Sequence, residues 1–293
     1  MCLTRNKIDT NCILKMRKGN TIMPQTVTSL EGFTRKIRRI APTTDEVLLY
    51  RGHSDRKKFR LLPSVLRESK FRDAEETILR ELLASHPSEF ANDASTVDRL
   101  VRVQHYSLPT RLLDATWNPL VALYFAAKGH PDTTGEVIVF RIRKERVKYF
   151  DSDTVSCVAN LAQLKIVDKG QIDFGLALAD FNRQEPVKRL LQFVGAEKPQ
   201  FRPIIVPEDL KSVLCVKPKQ NNPRILAQSG AFLLFGMTDD LDSASVRGIS
   251  VERIQINAKK KPDILKELDS VAINESTMFP EIEKAALYIR EKL

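Results

Sequence analysis

Three short stretches hold the residues whose types and spacing suit chemistry. In "YRGH", Tyr50, Arg51 and Gly52 close an apolar run, with His53 beyond them. An arginine at the edge of a buried strand suits phosphate, because its planar fork donates paired hydrogen bonds and keeps its charge when partly desolvated. The bland alternative is that Arg51 pairs with a structural carboxylate. Gly52 lets a ligand or another stretch of backbone come close. The second stretch, "QHYSLPTRLLDATWNPLVALYFAA" (Gln104 to Ala127), is denser in polar groups than a connection between helices requires. His105 and Asp114, with His53 elsewhere, have the side chains for acid–base hydrolysis. Ser107 lies outside any G-x-S-x-G elbow. Four histidines without an HxxxH or HxH pair point away from a metal. Neither a Walker A loop nor GxGxxG occurs, so neither phosphate-loop route to a nucleotide is supported. In the third stretch, the two-sided amide of Gln228 suits a ribose or an amide, unless Gln228-Ser229-Gly230 only ends a helix.

The elements that position these groups follow from apolar periodicity and caps. A Ser/Thr cap followed by Glu31 predicts a helix over 28–40 with Leu30, Phe33, Ile37 and Ile40 on one face. A buried strand follows over 45–53. Helices are expected over 72–90 and 94–106. Pro109 turns the chain into a short strand, 111–116, and Asn118-Pro119 opens a helix on which Tyr124 is a packing residue. Gly135–Arg143 alternates as a strand with one buried face. Helices are expected over 150–200, strands at "FRPIIVP" and "SVLCVKP", a short helix and strand in "NNPRILAQSGAFLLFG", and a strand at "SVERIQINA". Two amphipathic helices close the chain from Lys261, the last presenting Ile282, Ala285, Ala286, Tyr288 and Ile289. The fold class is α+β.

Composition bounds the function. Hydrophobic residues make up 42% and charged residues 29% of the 293, as in ordinary globular proteins. The longest apolar runs fall short of the roughly 20 residues of a membrane span, and residues 1–25 read as a loose basic arm without a signal-peptide core. Cys2, Cys12, Cys157 and Cys215 are scattered, which suits reduced thiols and a cytoplasmic location. A net charge of +10 suits an anionic partner such as nucleic acid or a nucleotide, although solvated lysines alone give the same sum. Aromatics are only 7%, so composition does not indicate a base-stacking platform.

Taken together, the aromatic-Arg-Gly triplet Tyr50-Arg51-Gly52, the segment Gln104 to Ala127, "RILAQSGAFLLFG" and "ESTMFPEIEKAALYI" resemble, in order, the motifs of the FRG domain family. The resemblance runs from about residue 28 to the end, which makes 26–293 a single FRG domain behind the 1–25 arm. More distantly, the three polar strand ends resemble the layout of ADP-ribosyltransferases. This implies a split, mixed sheet flanked by helices, with NAD bound in its cleft as substrate and no metal. By that resemblance Asp114 and Gln228 take the catalytic positions, and Tyr50, Arg51, Gly52, Thr110, Arg111, Thr116 and Tyr124 the cofactor-binding ones. This sequence departs from the transferase pattern at the third position, where Gln228-Ser229-Gly230 stands in place of a Glu-x-Glu or Gln-x-Glu. A transferase must then use another acid, for which Asp114 is the candidate, or else the domain binds a ligand without turning it over.

The leading expectation is an NAD-consuming, ADP-ribosyltransferase-like effector in a toxin or phage-defence setting, acting on nucleic acid and restrained by an antitoxin or chaperone. A noncatalytic module binding nucleic acid or a nucleotide is the alternative. A nuclease or other hydrolase built on His53, His105 and Asp114 is the third reading.

Overall fold

Helix α1 (Leu30–Ile37) starts where the Ser29 hydroxyl accepts a hydrogen bond from the Gly32 amide at 3.1 Å, and it buries Phe33. Strand β1 (Glu46–His53) follows. The single helix expected over 72–90 is instead broken into pieces. A short helix at Ser69–Asp73 stops at Ala74 (φ −102°, ψ 10°), α2 (Glu75–Ser85) runs next, and a 3₁₀ turn occupies Pro87–Phe90. Pro87 accounts for the second break, since it disfavours helical torsions at His86. Then come α3 (Thr96–His105), capped by Ser95, and β2 (Leu112–Thr116). The Asn118 side chain accepts from the Leu120 amide at 2.9 Å and Pro119 sits in the first turn, which starts α4 (Pro119–Ala127).

Strands β3 (Gly135–Arg143) and β4 (Val147–Tyr149) lead to α5 (Asp153–Asn160) and α6 (Glu185–Glu197). The expected strand at "FRPIIVP" is absent. Two prolines there remove ladder donors, and the second starts the helical turn Pro207–Leu210. Strand β5 (Val213–Lys217), α7 (Pro223–Ala227), β6 (Gly230–Phe235), β7 (Ile249–Ile256) and α8 (Lys261–Ser270) complete the order, followed by the short helix Glu275–Met278. This computed structural model describes residues 26–238, 241–242, 246–281 and 290. The basic arm with Cys2 and Cys12, and the closing helix with Ile282 to Ile289, lie outside the described residues.

The strands form one mixed sheet in the order β4-β5-β6-β2-β1-β3-β7, parallel only at β4/β5. Helices and this sheet make the fold α+β. One of its joins is weak. β1 and β3 pair from Glu46↔Arg143 to His53↔Glu136, whereas β1 and β2 share only Tyr50↔Thr116.

The packing follows the same division. On one face, a single apolar cluster spans the join, with Leu49, Leu113, Phe140 and Leu233 among its members. On the other face there are two clusters. One gathers Leu112, Leu214 and Phe232 under α3, α5 and α6, and the other gathers Tyr50, Val137 and Ile254 under α4 and α8. Helices therefore cover β3 on the side expected to be open, and its residues are buried from Gly135 to Phe140. Helix α4 sinks deepest. Gly52 and Gly135 make room for it, since a Cβ at either position would lie 2.1 Å from the Ala122 carbonyl oxygen or 2.3 Å from that of Ala126. Gly52 thus admits backbone, the second of the two uses its position suggested.

Candidate functional site

Where the two helical groups part, at the β1/β2 join, lies a cavity of about 230 Å³. Its wall includes Arg51, Asp114 and Gln228, one from each of the three polar stretches. Tyr50, Gly52 and Thr116 also border it. The splaying of the strands explains why a charged residue sits there. Beyond Tyr50↔Thr116 the ladder stops, and Arg51 Nη1 donates to the main-chain carbonyl of Asp114, an acceptor that continued pairing would have taken. Arg51 Nε donates to His53 Nε2 at 3.1 Å, and Nη1 stands 4.0 Å from Asp114 Oδ2. Among the described residues Nη2 has no hydrogen-bond partner, so a half-satisfied guanidinium faces this gap. Burial lowers the Arg51 pKa to about 10, against the attraction of Asp114, which leaves it charged at neutral pH.

Asp114 is oriented from the other side. Gln104 Nε2 donates to Asp114 Oδ1 at 2.6 Å, and Thr110 Oγ1 donates to Gln104 Oε1 at 2.5 Å. The carboxylate keeps 66% of its side-chain surface exposed. Arg67 lies close enough for Asp114 to raise its pKa, against a larger lowering by burial. The wall also carries Arg224, whose guanidinium stacks 4.9 Å above the Phe279 ring. Two arginines against one aspartate bias the cavity toward anions.

His53 is spent inside the fold. Because Arg51 can only donate, His53 Nε2 accepts, and Nδ1 carries the proton toward Glu136 Oε1 at 3.2 Å. Arg253 holds the same carboxylate. Burial, with Arg51 nearby, holds the His53 pKa below its ordinary value despite Glu136. A buried, neutral imidazole with both nitrogens engaged has no lone pair to offer a substrate. The expected trio of His53, His105 and Asp114 is therefore reduced to His105 and Asp114 at the cavity.

The other expected site residues divide. Thr116 borders the cavity, but its hydroxyl donates to the Gln228 carbonyl at 2.7 Å and accepts from the Asn118 amide at 3.0 Å. Gln228 Nε2 donates to the Met278 carbonyl at 2.9 Å, which ties the third stretch to the chain's closing segment. The structure does not bring Thr110, Arg111 or Tyr124 to the wall. Thr110 acts through Gln104. Arg111 is buried, held through Nε by Glu75 Oε1 at 2.8 Å and through Nη1 by the Phe235 carbonyl at 2.9 Å, while Lys169 Nζ reaches Glu75 Oε2 at 2.6 Å. Tyr124 is buried in the apolar cluster around α4, as its helical spacing suggested. Its neighbour Phe125 lines the cavity instead, and packs edge-on against Phe279 with ring centroids 6.1 Å apart.

Sequence reasoning passed over Gln104, Phe125 and Arg224. Each stands inside a quoted motif, so the signal was present. What it lacked was the rotation of α3, α4 and α7 about their axes.

An α+β protein with a cationic cleft at a nearly severed sheet is the class defined by fold and site. Residues 46–134 match the family model of the FRG domain, so the chain carries an FRG domain there, and the matched segment holds both Arg51 and Asp114. No curated protein and no solved structure matches the chain. Among the described residues no helix is long and apolar enough to cross a membrane, and no group of three or more His, Cys, Asp or Glu side chains is placed to hold a metal ion.

Proposed function

We propose that this cleft takes NAD as a substrate and that the protein is an ADP-ribosyltransferase-like effector whose acceptor is nucleic acid. The observation that carries the reading is the convergence of Arg51, Asp114 and Gln228 on one cavity from three distant stretches of chain. Arg51, with an unpaired Nη2, suits a phosphate of the dinucleotide. Arg224 adds a second positive group, and Phe125 an aromatic face for the nicotinamide ring.

In the reaction, the bond between the ribose C1′ and the nicotinamide nitrogen breaks, and its electron pair leaves with neutral nicotinamide. Positive charge develops on the ribose, and the Asp114 carboxylate, fixed by Gln104, is the anion available to stabilise it. An acceptor oxygen or nitrogen then bonds to C1′ and gives up its proton. Asp114 here fills the role left vacant by the absent glutamate of the third motif. Gln228 is a positioning residue, since its amide binds Met278. A toxin or phage-defence setting, with a restraining antitoxin or chaperone, is consistent with such an activity.

The test is nicotinamide release from NAD by the full-length protein, alone and with RNA, DNA or cell lysate, followed by chromatography and by transfer of radiolabel. Release that disappears in Asp114→Asn, with thermal unfolding unchanged, supports the reading. NAD binding without release in any mixture replaces it with a noncatalytic nucleotide-binding module. Cleavage of nucleic acid without NAD replaces it with a hydrolase.

A further inference from the structure

A second concavity, an open groove of about 630 Å³, lies beside the cleft. It collects Trp117, Tyr149 and Phe150 from separate parts of a chain that is only 7% aromatic, together with Lys217 and Lys219. No carboxylate is among the residues that line it. The register of the parallel pair explains the arrangement. Tyr149 on edge strand β4 is paired with Lys217 on β5, so their side chains stand on the same face. The Lys217 ammonium lies 5.3 Å from the Tyr149 ring centroid and 5.7 Å from that of Trp117, which follows the last residue of β2. A lysine between two rings fixes both of them while keeping its charge, and among the described residues Lys217 makes no ion pair. Lys219 is different, since it reaches Asp98 at 2.7 Å and covers the Phe150 ring at 4.9 Å.

We infer that this groove binds an unpaired stretch of nucleic acid, with bases stacked on Tyr149 and Trp117 and a phosphate on Lys217. Three observations favour this occupant. Flat aromatic side chains with an exposed face accept any base, and Tyr149 is 62% exposed. A lysine without an acidic partner matches a phosphate in charge, as does the chain's net +10. The groove also adjoins the cleft, for Gly230 borders both. The inference rests on the nucleic-acid part of the proposed function and not on turnover. Composition alone pointed the other way, because a low overall aromatic content hides a local cluster.

Trp117 is the chain's only tryptophan, so its fluorescence reports on this groove and no other place. The experiment titrates full-length protein with single-stranded RNA, single-stranded DNA and duplex DNA of one mixed sequence. Either single strand is expected to quench Trp117 at concentrations where the duplex does not, and the tighter of the two identifies the source. Tyr149→Ala is expected to weaken binding roughly five-fold or more, the loss of one stacked base. Lys217→Gln is expected to lower the slope of log affinity against log salt by about one. Absence of quenching by both strands, equal quenching by duplex, or full affinity in Tyr149→Ala each overturns the inference. Such a failure alongside continuing nicotinamide release leaves the proposed reaction standing with another acceptor.

Discussion

The guanidinium of Arg51 takes the place of a strand pair by donating to the main-chain carbonyl of Asp114, whose carboxylate Oδ2 stands 4.0 Å away. One residue thus closes the weak join in the sheet and places a cation at the cavity wall. The two jobs separate by substitution. Arg51→Lys keeps the charge, but an ammonium at the end of a flexible stem cannot hold Asp114, His53 and a ligand anion with the same fixed fork. On the proposed function, affinity for NAD, read by calorimetry, is expected to fall about ten-fold or more; the unmade hydrogen bonds are expected to cost about 1–3 kcal/mol of stability in any case. Asp114→Asn retains the oxygen that accepts from Gln104. It is expected to leave unfolding nearly unchanged and, on the proposed function, to leave binding intact while turnover falls on the order of 100-fold.

Acid weakens the fold in two stages. His53 has a folded pKa held below its ordinary 6.5 by burial, so in the window beneath 6.5 the unfolded chain binds more protons than the native one. The stability contributed by a neutral His53 is present above 6.5 and is lost as pH falls toward its folded pKa. Glu136 is pushed up by burial but held below its ordinary 4.5 by His53 and Arg253, so its contribution is lost below 4.5. Urea midpoints measured from pH 8 to pH 4 are expected to decline first through the histidine window and again at the carboxylate. In His53→Gln the first decline is expected to flatten.

Arg111 and Lys169 share the Glu75 carboxylate, and all three are buried. Burial raises the Glu75 pKa, yet the two cations together hold it below its ordinary value. Glu75→Gln strands both cations away from water and is expected to cost about 3–5 kcal/mol. Asp180→Asn, which breaks the exposed pair with Arg183, is expected to change stability by less than about 1 kcal/mol. Chemical denaturation of the two variants checks the contrast.

Local chemistry made most of the elements legible. The Ser29 and Asn118 caps, the alternation in β1 and the Pro109 turn each act within a few residues, and the sequence states them directly. Arg51 and Asp114 were legible because a polar group at the end of a buried strand has few structural uses. Thr110 and Arg111 were not, since nothing in "LPTRLLD" shows that Arg111 finds Glu75 at a separation of 36 residues, or that Lys169 joins it from 94 away. The arginine that looked like a ligand contact is a core residue for that reason. Helix rotation hid Phe125 and Arg224, and only assembly of the sheet exposes the single-pair join from which the cavity arises.

Gly52 offers a test of how the cavity wall is held. Its missing Cβ would lie 2.1 Å from the Ala122 carbonyl oxygen and 2.6 Å from the Ala126 amide nitrogen, main-chain atoms of α4 that cannot turn aside. In Gly52→Ala the helix must lift from β1, and Phe125, whose Cβ is 2.9 Å from the same point, must move with it. Thermal unfolding is expected to show a loss of about 1–3 kcal/mol from overpacking, with ligand binding at the cavity weakened in parallel. Gly230 borders the same cavity, but a Cβ there meets nothing closer than 3.4 Å. Gly230→Ala is accordingly expected to shift stability by no more than about 0.5 kcal/mol. Equal losses in both variants would show that contact with the cavity, and not the seating of α4, sets the demand for glycine.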